Sequence, residues 1–218
     1  MTTRERTGDG GDGPVLFLEP TMGGDDEACL DHLTAGNDPT HTLSVLYRDP
    51  VERRTAALEE RAAAVASGAF VCVGPTAREN EYADHGAVRV VSDPADVTGV
   101  GMAVTAWLDA HADDSCSAVC LGSLSTLLQY AETERVFRYL HAVIGKCRGS
   151  GVHVHAHLDP AAHDERTVAP LAQLFERQQR VAPSDQTAAG ASEQATAARP
   201  LATDGGSRVE DVPEEPGE

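Results

Sequence analysis

The feature that most constrains this chain is an alternation of short apolar runs, bounded by turn residues, with longer segments of helical period. The runs Val15 to Leu18, His41 to Leu46, Ala69 to Val73, Val88 to Val91, Ser117 to Leu121 and Val152 to Leu158 read as strands. Several are apolar without interruption, as strands buried on both faces are. Between them, Asp49-Pro50 and Asp93-Pro94 each set a capping residue before a proline at the first helical position, which predicts helices over Val51 to Ser67 and Ala95 to Ala112. A third helix, Glu132 to about Arg148, places Val136, Leu140, Val143, Ile144 and Cys147 on one face, with Glu134 and Arg138 paired outside. This order predicts an α/β fold, a mostly parallel sheet with helices on both faces, and such sheets bind ligands beyond the carboxyl ends of their strands. That edge would hold Glu19 to Asp26, Gly74-Pro75-Thr76, Gly122-Ser123 and His157 to Pro160.

One domain is expected over 14–181, where Val168, Leu171, Leu174 and Phe175 have helical spacing near its end. The flanking segments, 1–13 and 182–218, are expected to be disordered tails, because they offer too few large apolar residues to offset the entropy of ordering. The net charge is −18, from 35 acids against 17 bases, and Lys146 is the single lysine. An acidic surface with Arg preferred to Lys is expected in the cytosol of a salt-accumulating halophile, where molar salt screens self-repulsion within about 3 Å. The same charge, without any basic cluster, argues against nucleic-acid binding. No apolar run approaches the roughly 18 residues of a membrane span, and the start of the chain is polar, so a cytoplasmic protein is expected. The five cysteines include no Cys-x-x-Cys pair, which argues against a zinc ribbon or a disulfide framework. Cys72, Cys116 and Cys120 lie in apolar runs and read as small buried residues.

The segment Val15 to Asp26 has the layout of a phosphate-binding loop without its chemistry. Such a loop follows a buried strand and reads Gly, four residues, Gly-Lys-Ser/Thr. Laid on that template, Glu19 takes the first Gly, Gly24 the second after Gly23, Asp25 the Lys and Asp26 the Ser/Thr. A unit charge about 4 Å from phosphate is worth about 4 kcal/mol at an effective dielectric of 20, so exchanging Lys for Asp turns attraction into repulsion. The plainer reading is a strand, a Gly turn and an acidic helix start, since carboxylates suit the first turn of a helix.

The segment Asp114 to Tyr130 resembles the second nucleotide motif of the RecA/KaiC-like ATPases, an apolar strand ending in Asp and followed by Ser-Leu and a helix. Gly122 stands at the Asp position and Ser123 follows it. Glu134 to His141 and Val152 to Pro160 are similar to the next helix and strand of that family, so the resemblance covers roughly Pro14 to Pro160. It implies a RecA-like three-layer fold. It also implies a lost activity, because Asp25, Asp26 and Gly122 replace the residues that bind ATP and magnesium in the family. The combination looks most like the degenerate RecA-like proteins of halophilic archaea, relatives of KaiC-type regulators. The expectation is a non-catalytic regulatory or signalling module without catalytic residues or cofactor, acting through protein partners, with a homo-oligomer as one form of that. Residual ATP binding is the alternative that stays within the family.

His153, His155 and His157 alternate with apolar residues, so a strand places all three imidazoles on one face. Residues four apart on a strand are about 13 Å apart, so at most two neighbours, such as His155 and His157, could share a metal. Asp159, His163 and Asp164 lie just beyond, and with His157 they would make the edge of a metal-dependent enzyme, the rival reading. The competing explanation is packing, with the histidines hydrogen-bonded beneath a helix. Ser123, Ser125 and His141 lack a nucleophile-elbow context, and Gly99-Val100-Gly101 falls inside a helical pattern.

Overall fold

The structure, a computed structural model, describes residues 13–20, 26–35, 38, 40–47, 49–75, 77, 87–111 and 116–181. The chain divides into two units, 1–184 and 185–218, and all the described residues belong to the first. In chain order its elements are β1 (Val15–Leu18), α1 (Asp26–Leu33), β2 (Thr40–Leu46), α2 (Val51–Glu59), β3 (Val65–Val73), β4 (Ala87–Val91), α3 (Val97–Ala110), β5 (Ser117–Ser123), α4 (Leu124–Leu127), α5 (Thr133–Gly149), β6 (His153–Leu158), α6 (Glu165–Ala172) and β7 (Arg177–Arg180). The seven strands form one sheet in the order β4-β3-β2-β5-β6-β1-β7, and every pairing is parallel.

Side-chain alternation divides the strands between two faces. Leu16, Leu18, Leu43, Val45, Val71, Val119, Leu121, Val154, Ala156 and Leu158 face one side and join α3, α4, α5 and α6 in the larger core. Phe70, Cys72, Ala118 and Cys120 face the other, where Cys29, Leu30 and Leu33 of α1 and Val51 and Leu58 of α2 make a smaller cluster. Around that cluster the buried sheet residues are unusually polar, with Thr42, Ser44 and His155 at or near zero exposure.

Four expectations are corrected by local chemistry. The helix expected over Val51 to Ser67 stops at Glu59, and a single 3-10 turn at Ala62–Ala64 leads straight into β3. Val65, Ser67 and Gly68 pair with Thr40, His41 and Thr42, so the β2 ladder outweighs the helix-forming alanines. Asp49 does not cap α2, whose N-cap is Pro50 without a side-chain hydrogen bond. The Asp93-Pro94 pair makes a turn instead of a helix start: Asp93 Oδ1 accepts from the Ala95 N–H, and Asp96 caps α3 by accepting from the Gly99 N–H at 2.8 Å. Helix α6 ends at Ala172, so Leu174 and Phe175 lie beyond it, though both pack on the same core as Leu171. β7, Arg-Gln-Gln-Arg with all four residues exposed, has no apolar signal and pairs only with β1 at the sheet edge.

Candidate metal centre

The register of three neighbouring strands builds the site. Cys120 in β5 lies opposite His155 in β6, and His157, two residues on, shares its face; Phe17 in β1 lies opposite His157. Two residues along a strand advance about 6.6 Å, within reach of two imidazoles that lean toward one point. From above, α1 lowers Cys29 onto the same spot, its inward residues Cys29, His32 and Leu33 following helical spacing. Helix α2 turns Val51, Arg54 and Leu58 inward, which brings a buried guanidinium to the edge of the cluster.

Four ligand-type atoms, one each from Cys29, Cys120, His155 and His157, lie within 4.8 Å of one another, and all four residues are buried. Cys29 Sγ is 3.6 Å from Cys120 Sγ and 3.2 Å from His155 Nε2, and Cys120 Sγ is 3.5 Å from His157 Nε2. The outward nitrogens are engaged as well. His157 Nδ1 bonds Glu19 Oε1 at 2.7 Å, and His155 Nδ1 bonds His32 Nδ1 at 3.0 Å. Arg54 Nη1 donates to Cys29 Sγ at 3.2 Å. Phe17 closes one side, stacked on His157 and edge-on to His155 and His32.

The electrostatics follow from this crowding. The hydrogen bond from Cys120, with His155 and Arg54 alongside, draws the Cys29 thiol well below its usual range despite burial, and that same hydrogen bond, then burial, pushes Cys120 up. Burial works against a charged His157, yet the Cys29 thiolate and the Glu19 carboxylate outweigh it and raise the imidazole to about 10. Burial lowers His155, and burial together with His155 and His153 lowers His32 to about 3.

The other sequence-derived candidates are placed differently. Residues 21–25, with Gly23, Gly24 and Asp25, and the side chain of Asp26 lie outside the described residues. Glu19 stands against the cluster, bonded to His157. At Gly122 a Cβ would run into the carbonyl oxygen of Val45, so the backbone itself excludes a carboxylate there. The Ser123 hydroxyl accepts from the Thr126 N–H and starts α4. Asp159 accepts from the Ala161 N–H and Asp164 from the Thr167 N–H, so both carboxylates cap helical turns. Among the described residues, neither they nor His163 belong to a metal-capable group. A groove of about 700 Å³ between α3 and α5, lined by Val97, Gly101, Met102 and Tyr139 among others, includes none of the four ligand-type residues.

Sequence reasoning paired His155 with His157 but missed Cys29 and Cys120. All five cysteines are buried thiols outside any disulfide, as small core residues are, and two of them are also part of this cluster. The available signal was the His-x-His alternation. Its partners emerge only once β5 is known to lie beside β6, with α1 over both.

Residues 13–178 match the model of a family described as a family of unknown function, DUF7504. No curated protein matches the chain. Among solved structures the chain is similar to a protein from Pyrococcus horikoshii OT3, the subject of a structural study, at 12% identity over 80% of this chain and 83% of that one, with a TM-score of 0.49.

Proposed function

We propose, for a chain that belongs to the DUF7504 family, that it is a zinc-stapled, non-catalytic regulatory module. Cys29, Cys120, His155 and His157 are the ligands of the ion. The observation that carries this reading is the convergence of two thiols and two imidazole nitrogens within 4.8 Å, drawn from three separate stretches of the sequence and buried together. A zinc ion with Zn–S near 2.3 Å and Zn–N near 2.0–2.1 Å implies ligand-to-ligand edges of about 3.3–3.8 Å. The approaches of Cys29 to His155, Cys120 to His157 and Cys29 to Cys120, 3.2, 3.5 and 3.6 Å, are of that size. Two thiolates neutralise a dication, and the flanking Arg54 and Glu19 neutralise each other, so the buried set carries no net charge with zinc in place. Two sulfurs and two imidazoles favour zinc over the hard cations magnesium and calcium. The carboxylate behind His157 and the imidazole behind His155 hold the rings with Nε2 inward, as the outer partners of metal-bound histidines do.

Four protein ligands leave no position for water or substrate, which is the mark of a structural site and not of a catalytic one. The resemblance to degenerate RecA/KaiC-like proteins supports the same conclusion. Gly122, at the position of the family's magnesium-binding Asp, has no room for a side chain, and Glu19, at the head of the phosphate-loop layout, is committed to His157. We infer that the chain neither binds nor hydrolyses ATP and acts through protein partners, a second copy among the possibilities, in a salt-loaded cytoplasm. No helix among the described residues is long and apolar enough to cross a membrane.

Metal analysis of protein purified without chelator tests this reading. One zinc per chain is expected, replaceable by cobalt with the visible absorption of a tetrahedral thiolate site, and lost in Cys120→Ser. Protein that carries no metal and takes up no cobalt overturns it.

A further inference from the structure

We infer that the ion governs the docking of α1, so that loss of zinc frees this helix from the sheet while the rest of the fold stays closed. The inference rests on the zinc reading above and names the regulation of that site. It begins with the length of α1, eight residues from Asp26 to Leu33. Helices shorter than about 12–15 residues are marginal on their own in water, so α1 depends on what its inner face touches. That face consists of Cys29, Leu30, His32 and Leu33. Two of the four belong to the metal centre: Cys29 is a ligand, and His32 supports His155 from behind. Only Leu30 and Leu33 are large apolar anchors.

The distribution of ligands sharpens the point. Cys120 is on β5, and His155 and His157 are on β6, all within the sheet. Cys29 is the one ligand from a helix, so a single metal–sulfur bond joins α1 to three ligands already fixed by strand pairing. From outside the ligand set, Arg54 of α2 donates to Cys29. Helix α5, with 17 residues and six buried side chains, has no share in the site and needs none. Elements with few apolar contacts open at lower free energy than the global unfolding, and α1 is built to be such an element unless the ion holds it. Because zinc takes its fourth ligand only when α1 is docked, the ion favours the docked form by its differential affinity. Zinc availability therefore decides whether the polar face of the sheet, with Cys120 and His155, is covered or open to a partner.

Amide hydrogen exchange on the full chain, zinc-loaded and chelator-treated, is the test. In the loaded protein, 26–33 is expected to be protected. After chelation, exchange there should quicken at least about tenfold more than in α5, which stays protected. Cys29→Ser keeps the three sheet ligands and cuts the tether, so 26–33 should exchange quickly even with zinc present. Leu30→Ala weakens the apolar anchor without touching a ligand and should keep the zinc dependence. Equal protection of 26–33 with and without zinc, in protein shown to bind one zinc, overturns the inference and leaves the zinc site standing. Loss of protection in α5 as large as that in α1 also overturns it, since the whole fold would then follow the metal. A failure to bind zinc at all would instead remove the reading beneath it.

Discussion

The two faces of this sheet are made from the same seven strands and solve the problem of burial in opposite ways. Toward α3, α5 and α6, alternate strand residues are Leu, Val and Ala, and the layer is held by apolar area. Toward α1 and α2, the intervening residues include Thr42, Ser44, Cys120, His155 and His157, which have little area to offer. A parallel sheet covered on both sides normally carries apolar side chains on both. The difference teaches that the first face tolerates any partner of the right volume, whereas the second depends on directed bonds among particular atoms. One is stabilised by quantity and the other by identity.

The strongest way to break this contrast is to take the ion away. A ligand present at about a thousand times its dissociation constant adds about 4 kcal/mol, so chelation or Cys120→Ala should lower the urea-derived stability by at least roughly that amount. If chelator leaves the unfolding midpoint in place, the polar face sustains itself and the contrast fails. On the apolar face, Leu140→Ala should cost about 3 kcal/mol, within the usual 2–5 for a buried leucine. That loss should be the same with and without zinc, and a zinc-dependent loss would mean the faces are coupled.

A methyl group at Gly122 sharpens the comparison from the seam between β5 and β2. Gly122→Ala should cost about 1–3 kcal/mol, the range for overpacking, because the new Cβ meets the Val45 carbonyl. A neutral result by thermal melting would show that β5 gives way. Acid should act on the polar face. His32 is held to about 3 by burial and by His155, and in the unfolded chain it takes a proton near 6.5. Stability owed to its neutral form is intact above 6.5 and falls as pH drops from there toward 3, by at most about 1.4 kcal/mol per unit. His157 has the opposite sign: raised to about 10, it stabilises the metal-free protein below 6.5 and loses that contribution as pH climbs toward 10. Chelator-treated His32→Gln should therefore lose less stability between pH 6.5 and 5 than the chelator-treated parent. The smallest expected effect is none. ATP with magnesium should not move the melting temperature, whereas binding at a hundred times the dissociation constant would add about 2.7 kcal/mol.

How much of this was legible depended on which face a residue serves. The apolar strands, the amphipathic helix α5 and the α/β class were readable because hydrophobic period reports burial directly, and Val136, Leu140, Val143, Ile144 and Cys147 lie inward as their spacing requires. The polar face was half readable. His155 and His157 announced themselves by alternation, but Cys120 looked like another small apolar residue in an apolar strand, and Cys29 stood alone in a short acidic helix. Their meaning comes from strand order and register, which no local pattern encodes. β7 went unseen for the same reason, since a fully exposed Arg-Gln-Gln-Arg strand owes its conformation entirely to the neighbour it pairs with.

The contact at Gly122 also bears on substitution. A glycine can usually give way to a larger residue by one change, but here the space is filled by the backbone of β2, whose Val45 oxygen stands where a Cβ would have to go. The β5–β6 register slips at this same point, between Leu121 and Ser123. Placing any side chain there would require β5 and β2 to part at a point where the ladder is already irregular. The strand end is therefore shut to every chemistry that needs a side chain at this position, while the surfaces of the fold stay free to vary.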